Sequence, residues 1–152
     1  MTGRAEIAAP DFAGLDIAGV WAIRRTIRPH GRFTGLAEVR AMGGGAFAWR
    51  EAGDLRLAGG AVLKAERRYI YHVGPEPGAI VIRFDDGPGA GELLHRFVFD
   101  GAARTARHRH PCPPDVYDAK MTLIGADQFR LTYRVSGPRK DYVMTSSYRR
   151  VR

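Results

Sequence analysis

The sequence predicts an all-β protein: a single antiparallel up-and-down β-barrel of about 8–10 strands, with a short N-terminal helical cap. Three observations support this fold class. Apolar residues recur at every second position along most of the chain after Gly19, which is the period of a half-buried strand. The 19 glycines and 9 prolines mark many tight turns between these segments. Trp21 near the start of the chain is matched by Arg150 near its end.

The predicted elements begin with a cap over residues 1–18, because residues 10–15 could form one helical turn. Residues 19–152 form the predicted barrel domain. A chain of 152 residues fits a single domain that buries about two thirds of its unfolded surface.

Ten strands with short connections follow, and the residues predicted to face inward share one parity along each strand. Taken at every second position, these residues are Trp21 to Ile27, Phe33 to Val39, Phe47 to Leu57, Leu63 to Val73, Ile80 to Phe84, Leu93 to Phe99, Tyr117 to Leu123, Phe129 to Val135 and Tyr142 to Arg150. The seventh strand is predicted from about Ala102 to His108. Closing these strands into a barrel removes the exposed edges that an open sheet would present.

Strand counting also assigns the two ends of the barrel. A meander alternates direction, so every odd-numbered connection lies at the end opposite Trp21, which we term the mouth. The predicted mouth loops are 28–32, 59–60, 85–91, 109–115 and 137–140. The last strand returns Arg150 to Trp21, where a guanidinium stacked on the indole contributes roughly 0.5–2 kcal/mol.

Composition limits the functional classes. The single cysteine, Cys112, excludes an internal disulfide, and the sequence contains no long apolar run and no signal segment, so we expect a cytoplasmic protein without membrane insertion. The formal charge of +8 and the pI near 10.2 come from arginines spread along the chain in ones and twos. This pattern favours a solvated basic surface over specific nucleic-acid binding, in a monomer or homodimer.

Several motifs resemble known families. The Gly19-x-Trp21 opening, the closing arginine and the lack of a disulfide resemble the calycin superfamily of lipocalin-like and fatty-acid-binding-like barrels. Longer motifs resemble a bacterial family with a domain of unknown function. These motifs are Trp49-x-Glu51-x-Gly53-x-Leu55, Arg67-x-Tyr69, His110-x-Cys112-x-x-Asp115-x-Tyr117 and Gly137-Pro138-x-Lys140-Asp141-Tyr142.

The resemblance to calycins implies ligand storage or transport and, in a haem-binding branch, a proximal histidine. Secreted lipocalins carry a disulfide and a signal segment that this chain lacks, so extracellular transport is not expected.

The parity of the strands places four ionisable residues in the lumen: Arg25, Glu51, Arg67 and His95. Buried charges are costly unless they are paired. One interpretation is that two arginines against one glutamate leave a positive charge that binds an anionic group of a ligand. The alternative is that Glu51 satisfies both arginines, with water and tyrosine hydroxyls completing the network.

On the first interpretation the protein binds a small, largely apolar molecule that carries an anionic group. Trp49, Tyr69, Tyr71, Phe97 and Tyr133 line the walls around this molecule. His95 donates a hydrogen bond to it.

A second constellation is predicted at the mouth, where His108, His110, Cys112, Asp115 and Tyr117 lie close in sequence. It offers an alternative function. One form is a haem or transition-metal site with His95 or His110 as ligand. The other is an enzyme, either with Cys112 as nucleophile and His110 as base or with acid–base groups at the mouth, which would be Asp115, Tyr117 and Lys140. The spacing matches no zinc signature, so we expect no cofactor and favour binding over catalysis.

The 137–141 hairpin adds one further candidate residue. Lys140 is the expected contact for a ligand head group that reaches the rim, unless the hairpin is only a tight turn with solvated charges.

Overall fold

The computed structural model describes residues 16–151, and all regular structure within them is β-strand. The strands are β1 (Gly19–Arg28), β2 (Gly31–Gly43), β3 (Ala46–Leu57), β4 (Val62–Val73), β5 (Ala79–Phe84), β6 (Leu93–Val98), β7 (Thr105–Cys112), β8 (Asp115–Gly125), β9 (Gln128–Ser136) and β10 (Asp141–Val151). No helix that could cross a membrane occurs in this part of the chain. The predicted cap lies outside the described residues except for residues 16–18, which are not helical.

The ten strands form one antiparallel sheet in the order β6-β5-β4-β3-β2-β1-β10-β9-β8-β7. Strand β1 pairs with both β2 and β10, so the two ends of the barrel domain lie side by side. Strands β6 and β7 are the two edges of the sheet; they lie against each other without a ladder of backbone hydrogen bonds. The predicted fold class is therefore confirmed as an up-and-down barrel, closed except at this seam.

Burial alternates along the strands as the sequence predicts. On β1, Trp21 and Ile23 are buried while Arg24 is exposed. On β9, Phe129, Leu131 and Val135 are buried and Tyr133 packs beside them, while Arg130 and Arg134 are exposed on the other face. Because successive side chains of a strand point to opposite faces, one residue of register error would have moved this core to the outside.

A pair of inward-facing glycines brings β2 and β3 close together near the mouth. Gly35 and Gly53 are register partners, and a Cβ on either would clash with the backbone carbonyl of Ala52 or Thr34. Glycine inside a strand commonly marks such a tight bend at a barrel corner. Any larger residue at these positions would force β2 and β3 apart.

The floor of the barrel forms as predicted. The Arg150 guanidinium lies 4.4 Å from the centre of the Trp21 ring. It donates hydrogen bonds to the carbonyls of Ala18 (2.6 Å) and Asp16 (3.0 Å). The Trp21 indole donates to the carbonyl of Ile17 at 2.9 Å, so residues 16–18 are held across the floor.

Aromatic side chains fill the lumen above this floor. Trp49 stacks on Tyr71, and Phe129 stacks on Tyr148, each pair with ring centres 4.4 Å apart. The Trp21 and Trp49 rings contact Phe129 edge-on. The lower lumen is therefore packed side chain rather than open space, and space for a ligand has to lie nearer the mouth.

Candidate functional site

A buried ion pair forms the polar centre of the lumen. Arg25 on β1 and Glu51 on β3 approach to 2.6 Å between Nη1 and Oε2, with side chains 11% and 3% exposed. The other Glu51 oxygen accepts a hydrogen bond from Trp49 at 3.1 Å. Arg25 also donates to the hydroxyls of Ser146 (2.7 Å) and Tyr148 (3.1 Å). We call these five residues the Arg25 network.

Every member of the Arg25 network has a polar partner. Burial alone would lower the pKa of the Arg25 guanidinium, but its interactions with Tyr148 and Glu51 raise that pKa above its ordinary value. Burial raises the pKa of Tyr148, which therefore remains a neutral hydroxyl. Arg25 thus stays charged at any physiological pH, balanced by Glu51.

The structure corrects the expected role of Arg67 in this network. Arg67 does not pair with Glu51, although the two are register partners. Its guanidinium turns to the rim and binds Asp86 in the β5–β6 connection, at 3.2 and 3.3 Å. Both interpretations drawn from the sequence placed Arg67 beside Glu51, either as a surplus charge or as a second partner of the carboxylate. Both are wrong on this point, because Arg67 pairs with Asp86.

Arg67 is held more loosely than Arg25. Its side chain is 48% exposed and lies within 5.6 Å of the ring centre of Tyr69 and 5.7 Å of that of Phe84. Partial burial alone would raise the pKa of the Asp86 carboxyl group. Hydrogen bonds from the Arg67 side chain and the Arg68 backbone outweigh this effect and lower that pKa. A solvent-exposed pair of this kind contributes little net stability, so Arg67 can exchange its partner.

Between the two arginines lies a pocket of about 90 Å³ near the mouth. Its walls are Arg25, Ile27, Phe33, Glu51, Leu55, Ala65, Glu66 and Arg67. The volume holds a few water molecules or a small head group, and it is well below the usual size of a drug-like ligand site, about 300–1,000 Å³.

The predicted wall residues occupy the lumen as expected from their parity. Trp49, Tyr71 and Phe97 are buried, and Tyr69 and Tyr133 are partly buried beside them. Burial raises the pKa of Tyr69, Tyr71 and Tyr133, so all three carry neutral hydroxyls. A ligand among these residues would meet aromatic faces and hydroxyl groups.

Histidines occupy the seam between β6 and β7. His95 on β6 is fully buried, and its Nδ1 lies 3.4 Å from Nδ1 of His108 on β7. The ring of His110, two residues along β7, stacks beside His108 with centres 6.0 Å apart. His95 also contacts the rings of Phe97 (5.5 Å) and Tyr133 (5.4 Å). We call His95, His108 and His110 the histidine seam.

Within residues 16–151, the only buried side-chain nitrogen or oxygen atom without a hydrogen-bond partner is Nε2 of His95. Burial, together with the nearby His108 and His110, lowers the pKa of His95 to about 3, so the ring is neutral at physiological pH. The pKa of His108 is also lowered, mainly by burial and further by the charges of His110 and Arg96. An uncompensated polar atom inside a protein is costly, and such atoms often mark a functional position.

The predicted mouth-loop site has a different geometry. Strand β7 runs from Thr105 to Cys112 rather than ending near His108, and the turn before β8 is only residues 113–114, so the expected 109–115 loop is wrong. His110 is the register partner of Tyr117, and Cys112 that of Asp115. Pro111 lies within β7, and Pro113 and Pro114 form the turn of this β7–β8 hairpin.

These residues do not converge on one point. Cys112 is exposed, and Asp115 forms an ion pair with Lys140 at 3.2 Å. Among the described residues, no group of three or more histidines, cysteines and carboxylates is arranged to hold a metal ion. The hydrogen bond with Asp115 raises the pKa of Lys140, which therefore serves a rim ion pair.

Sequence reasoning missed three contributors. Ser146 and Tyr148 complete the Arg25 network. Both occupy inward-facing positions of β10, and this alternation could have placed them in the lumen. Asp86, the partner of Arg67, lies in a turn, and no strand periodicity indicates where its side chain points.

Taken together, a meander of ten strands closed by Arg150 on Trp21 around a polar and aromatic lumen defines a calycin-like β-barrel. The chain belongs to the family of unknown function DUF6314, whose family model matches residues 17–150. Among curated proteins, no sequence is similar enough to identify a relative.

Solved structures similar to this barrel include natural and designed proteins. A phycobiliprotein lyase from Guillardia theta has a TM-score of 0.61 at 8% identity, over 100% of this chain and 99% of the other. A protein of unknown function from the DUF3598 family of Nostoc punctiforme has a TM-score of 0.61 at 10% identity; the alignment covers 99% of this chain and 54% of that one. A designed fluorescence-activating β-barrel has a TM-score of 0.51 at 14% identity, over 93% and 99% of the two chains. At these identities the similarity establishes the fold.

Proposed function

We propose that this protein binds a small, largely apolar molecule inside the barrel. The observation that carries the proposal is the buried Nε2 of His95, which lacks a protein partner and lies in a lumen walled by aromatic rings. A ligand with one polar group at this depth would supply the missing hydrogen bond, which is how a mostly apolar site fixes the orientation of its ligand.

The ligand we propose also carries an acidic group, bound in the pocket between Arg25 and Arg67. Arg25 is committed to Glu51, so Arg67 is the cation that can turn to a ligand carboxylate. The carboxylate would replace the two Asp86 contacts of 3.2 and 3.3 Å with a bidentate pair. Asp86 would keep its hydrogen bond from the Arg68 backbone, at 2.8 Å.

The fold is compatible with this function. One similar structure, with a TM-score of 0.50 at 10% identity, is of EF1p2_mFAP2b bound to DFHBI, and another is of a phycobiliprotein lyase. For this chain, the pocket of about 90 Å³ accepts only the head group, so the apolar part has to displace side chains deeper in the lumen.

Native mass spectrometry of the full-length protein tests the proposal, because it detects a co-purifying small molecule directly. If the protein is purified empty, titration with octanoate followed by tryptophan fluorescence provides the probe, because Trp49 lines the lumen. We expect either a bound mass or saturable binding of octanoate.

Two neighbouring arginines give a matched pair of variants. Arg67→Ala removes the inward cation of β4, whereas Arg68→Ala removes its outward neighbour, which pairs with Glu66. We expect the first variant to weaken acid binding by about tenfold or more, the size of a lost charge-assisted hydrogen bond, and the second to bind like wild type. An empty protein that ignores octanoate contradicts the proposal, and equal behaviour of the two variants contradicts the role of Arg67.

A further inference from the structure

The outer surface of the barrel is divided into two parts that differ in charge pairing. Over the middle of β2, β3 and β4, charged residues on the outward face form ion pairs with each other. Arg50 pairs with Glu38 and Glu66, and Lys64 pairs with Asp54. This part of the surface is electrically balanced and attracts neither cations nor anions strongly.

The outward face of β1 and β7–β10, with the mouth-side ends of β2 and β3, has the opposite character. The backbone register aligns its side chains in rows across neighbouring strands. One row runs through Arg56, Arg32, Thr26, Thr145, Thr132, Lys120 and Arg107. The next row runs through Thr34, Arg24, Ser147, Arg130 and Thr122. We call these two rows the basic face.

Six cations belong to the basic face, and none of them forms an ion pair with a carboxylate among residues 16–151. The arginines are spread in the sequence, but strand pairing brings them together on one side. Part of the positive charge of the protein is therefore gathered on this face.

The other residues of the two rows are hydroxyl-bearing. Serine and threonine side chains, together with arginine and lysine, make the contacts that proteins use for phosphate oxygens. At the β1–β3 end, a surface pocket of about 400 Å³ is lined by Thr26, Arg28, Arg32 and Arg56 among others. This pocket is large enough to seat a phosphate group between guanidinium groups.

We propose that the basic face binds the phosphodiester backbone of nucleic acid without sequence preference. Exposed Leu36 and Val62 border the two rows, but neither row itself contains a large exposed hydrophobic side chain. The rows therefore favour contacts to phosphates over insertion into a lipid bilayer. Neither row contains an aromatic residue on which bases could stack, so contacts are to the backbone. This function is independent of the lumen, because the rows lie on the opposite side of the sheet.

The test measures binding of the full-length protein to a short fluorescent DNA duplex by anisotropy over a series of salt concentrations. Neutralising phosphates releases counterions, so the logarithm of the association constant should fall linearly with the logarithm of salt concentration. Arg24→Gln with Arg130→Gln should lower that slope by about 2 and weaken binding on the order of tenfold at low salt. A second duplex of different sequence should bind equally.

The matched control is Arg40→Gln with Arg83→Gln, which removes the same charge from exposed positions outside the two rows. We expect this double variant to keep the wild-type slope. The proposal is overturned if the wild type binds the duplex without salt dependence or not at all. It is also overturned if both double variants lose binding equally, or if only anionic phospholipid vesicles are bound.

Discussion

The two polar regions of the lumen differ in how completely their side chains satisfy one another. The Arg25 network lies where β10, β1, β2 and β3 are joined by continuous ladders, and each of its groups has a partner. The histidine seam lies where the ladder is interrupted, and His95 keeps one ring nitrogen without a partner. The Arg25 network is therefore saturated with protein partners, whereas the seam is the part of the lumen where the proposed ligand would meet an unpaired polar atom.

The largest effect is expected from breaking the Arg25 network. Glu51→Ala leaves a buried guanidinium without its counter-charge, and losses of this kind are about 3–5 kcal/mol. Chemical denaturation should show this decrease in the free energy of unfolding.

The double variant Arg25→Met with Glu51→Leu sharpens this prediction. Replacing both charges with apolar groups should recover most of the lost stability, because no unpaired charge is then buried. Glu66→Gln, on the ion-paired outer surface, should cause a much smaller change. If Glu51→Ala were no more destabilising than Glu66→Gln, the Arg25 network would not be a stabilising centre.

A smaller, pH-dependent effect is expected from the seam. The pKa of His95 is lowered to about 3 in the folded protein, against an ordinary value near 6.5. Between these two pH values the unfolded chain therefore binds more protons than the folded protein. The contribution of neutral His95 to the free energy of unfolding is fully present above pH 6.5. It should fall by up to about 1.4 kcal/mol for each pH unit as the pH decreases towards 3, and His108 acts in the same direction.

Urea denaturation at a series of pH values between 7 and 4 measures this dependence. His95→Leu should flatten the profile, because the variant lacks the buried imidazole. A wild-type profile that is flat below pH 6.5 would contradict the burial of a neutral His95.

The third effect concerns local opening. The amide groups of β6 and β7 that face the seam have no partner strand, so they should exchange with solvent faster than those of β1 and β2. Hydrogen–deuterium exchange followed by peptide mass spectrometry compares the four strands directly. Equal protection in β6 and β1 would show that the seam is closed by contacts as strong as a ladder.

The smallest effect is expected from a surface ion pair. Lys64 binds Asp54 at 2.6 Å, but its side chain is 88% exposed. Exposed pairs typically contribute about 0–1 kcal/mol, so Lys64→Met should leave the denaturation midpoint almost unchanged. A large loss would mean that the contrast between interior and surface pairs has been overstated.

The sequence predicted the fold and the inward-facing residues well, because a period of two assigns every second residue to one face. Trp21 and Arg150 were placed together because the strand count returns the last strand to the first. The partner of Arg67 was not predictable, since Asp86 lies in a turn that follows no periodicity. The seam was also missed, because Leu93–Val98 and Thr105–Cys112 alternate like paired strands, and only the three-dimensional closure decides which edges remain unpaired.

Because β1 and β10 are hydrogen-bonded neighbours, the first and last strands of the barrel are not the edges of the sheet. A circular permutant that joins the end of β10 to the start of β1 and opens the chain between β6 and β7 would cut no backbone ladder. New termini would then coincide with the one junction where strands already lack backbone pairing. Such a permutant should fold to the same barrel, with its ends free to spread apart.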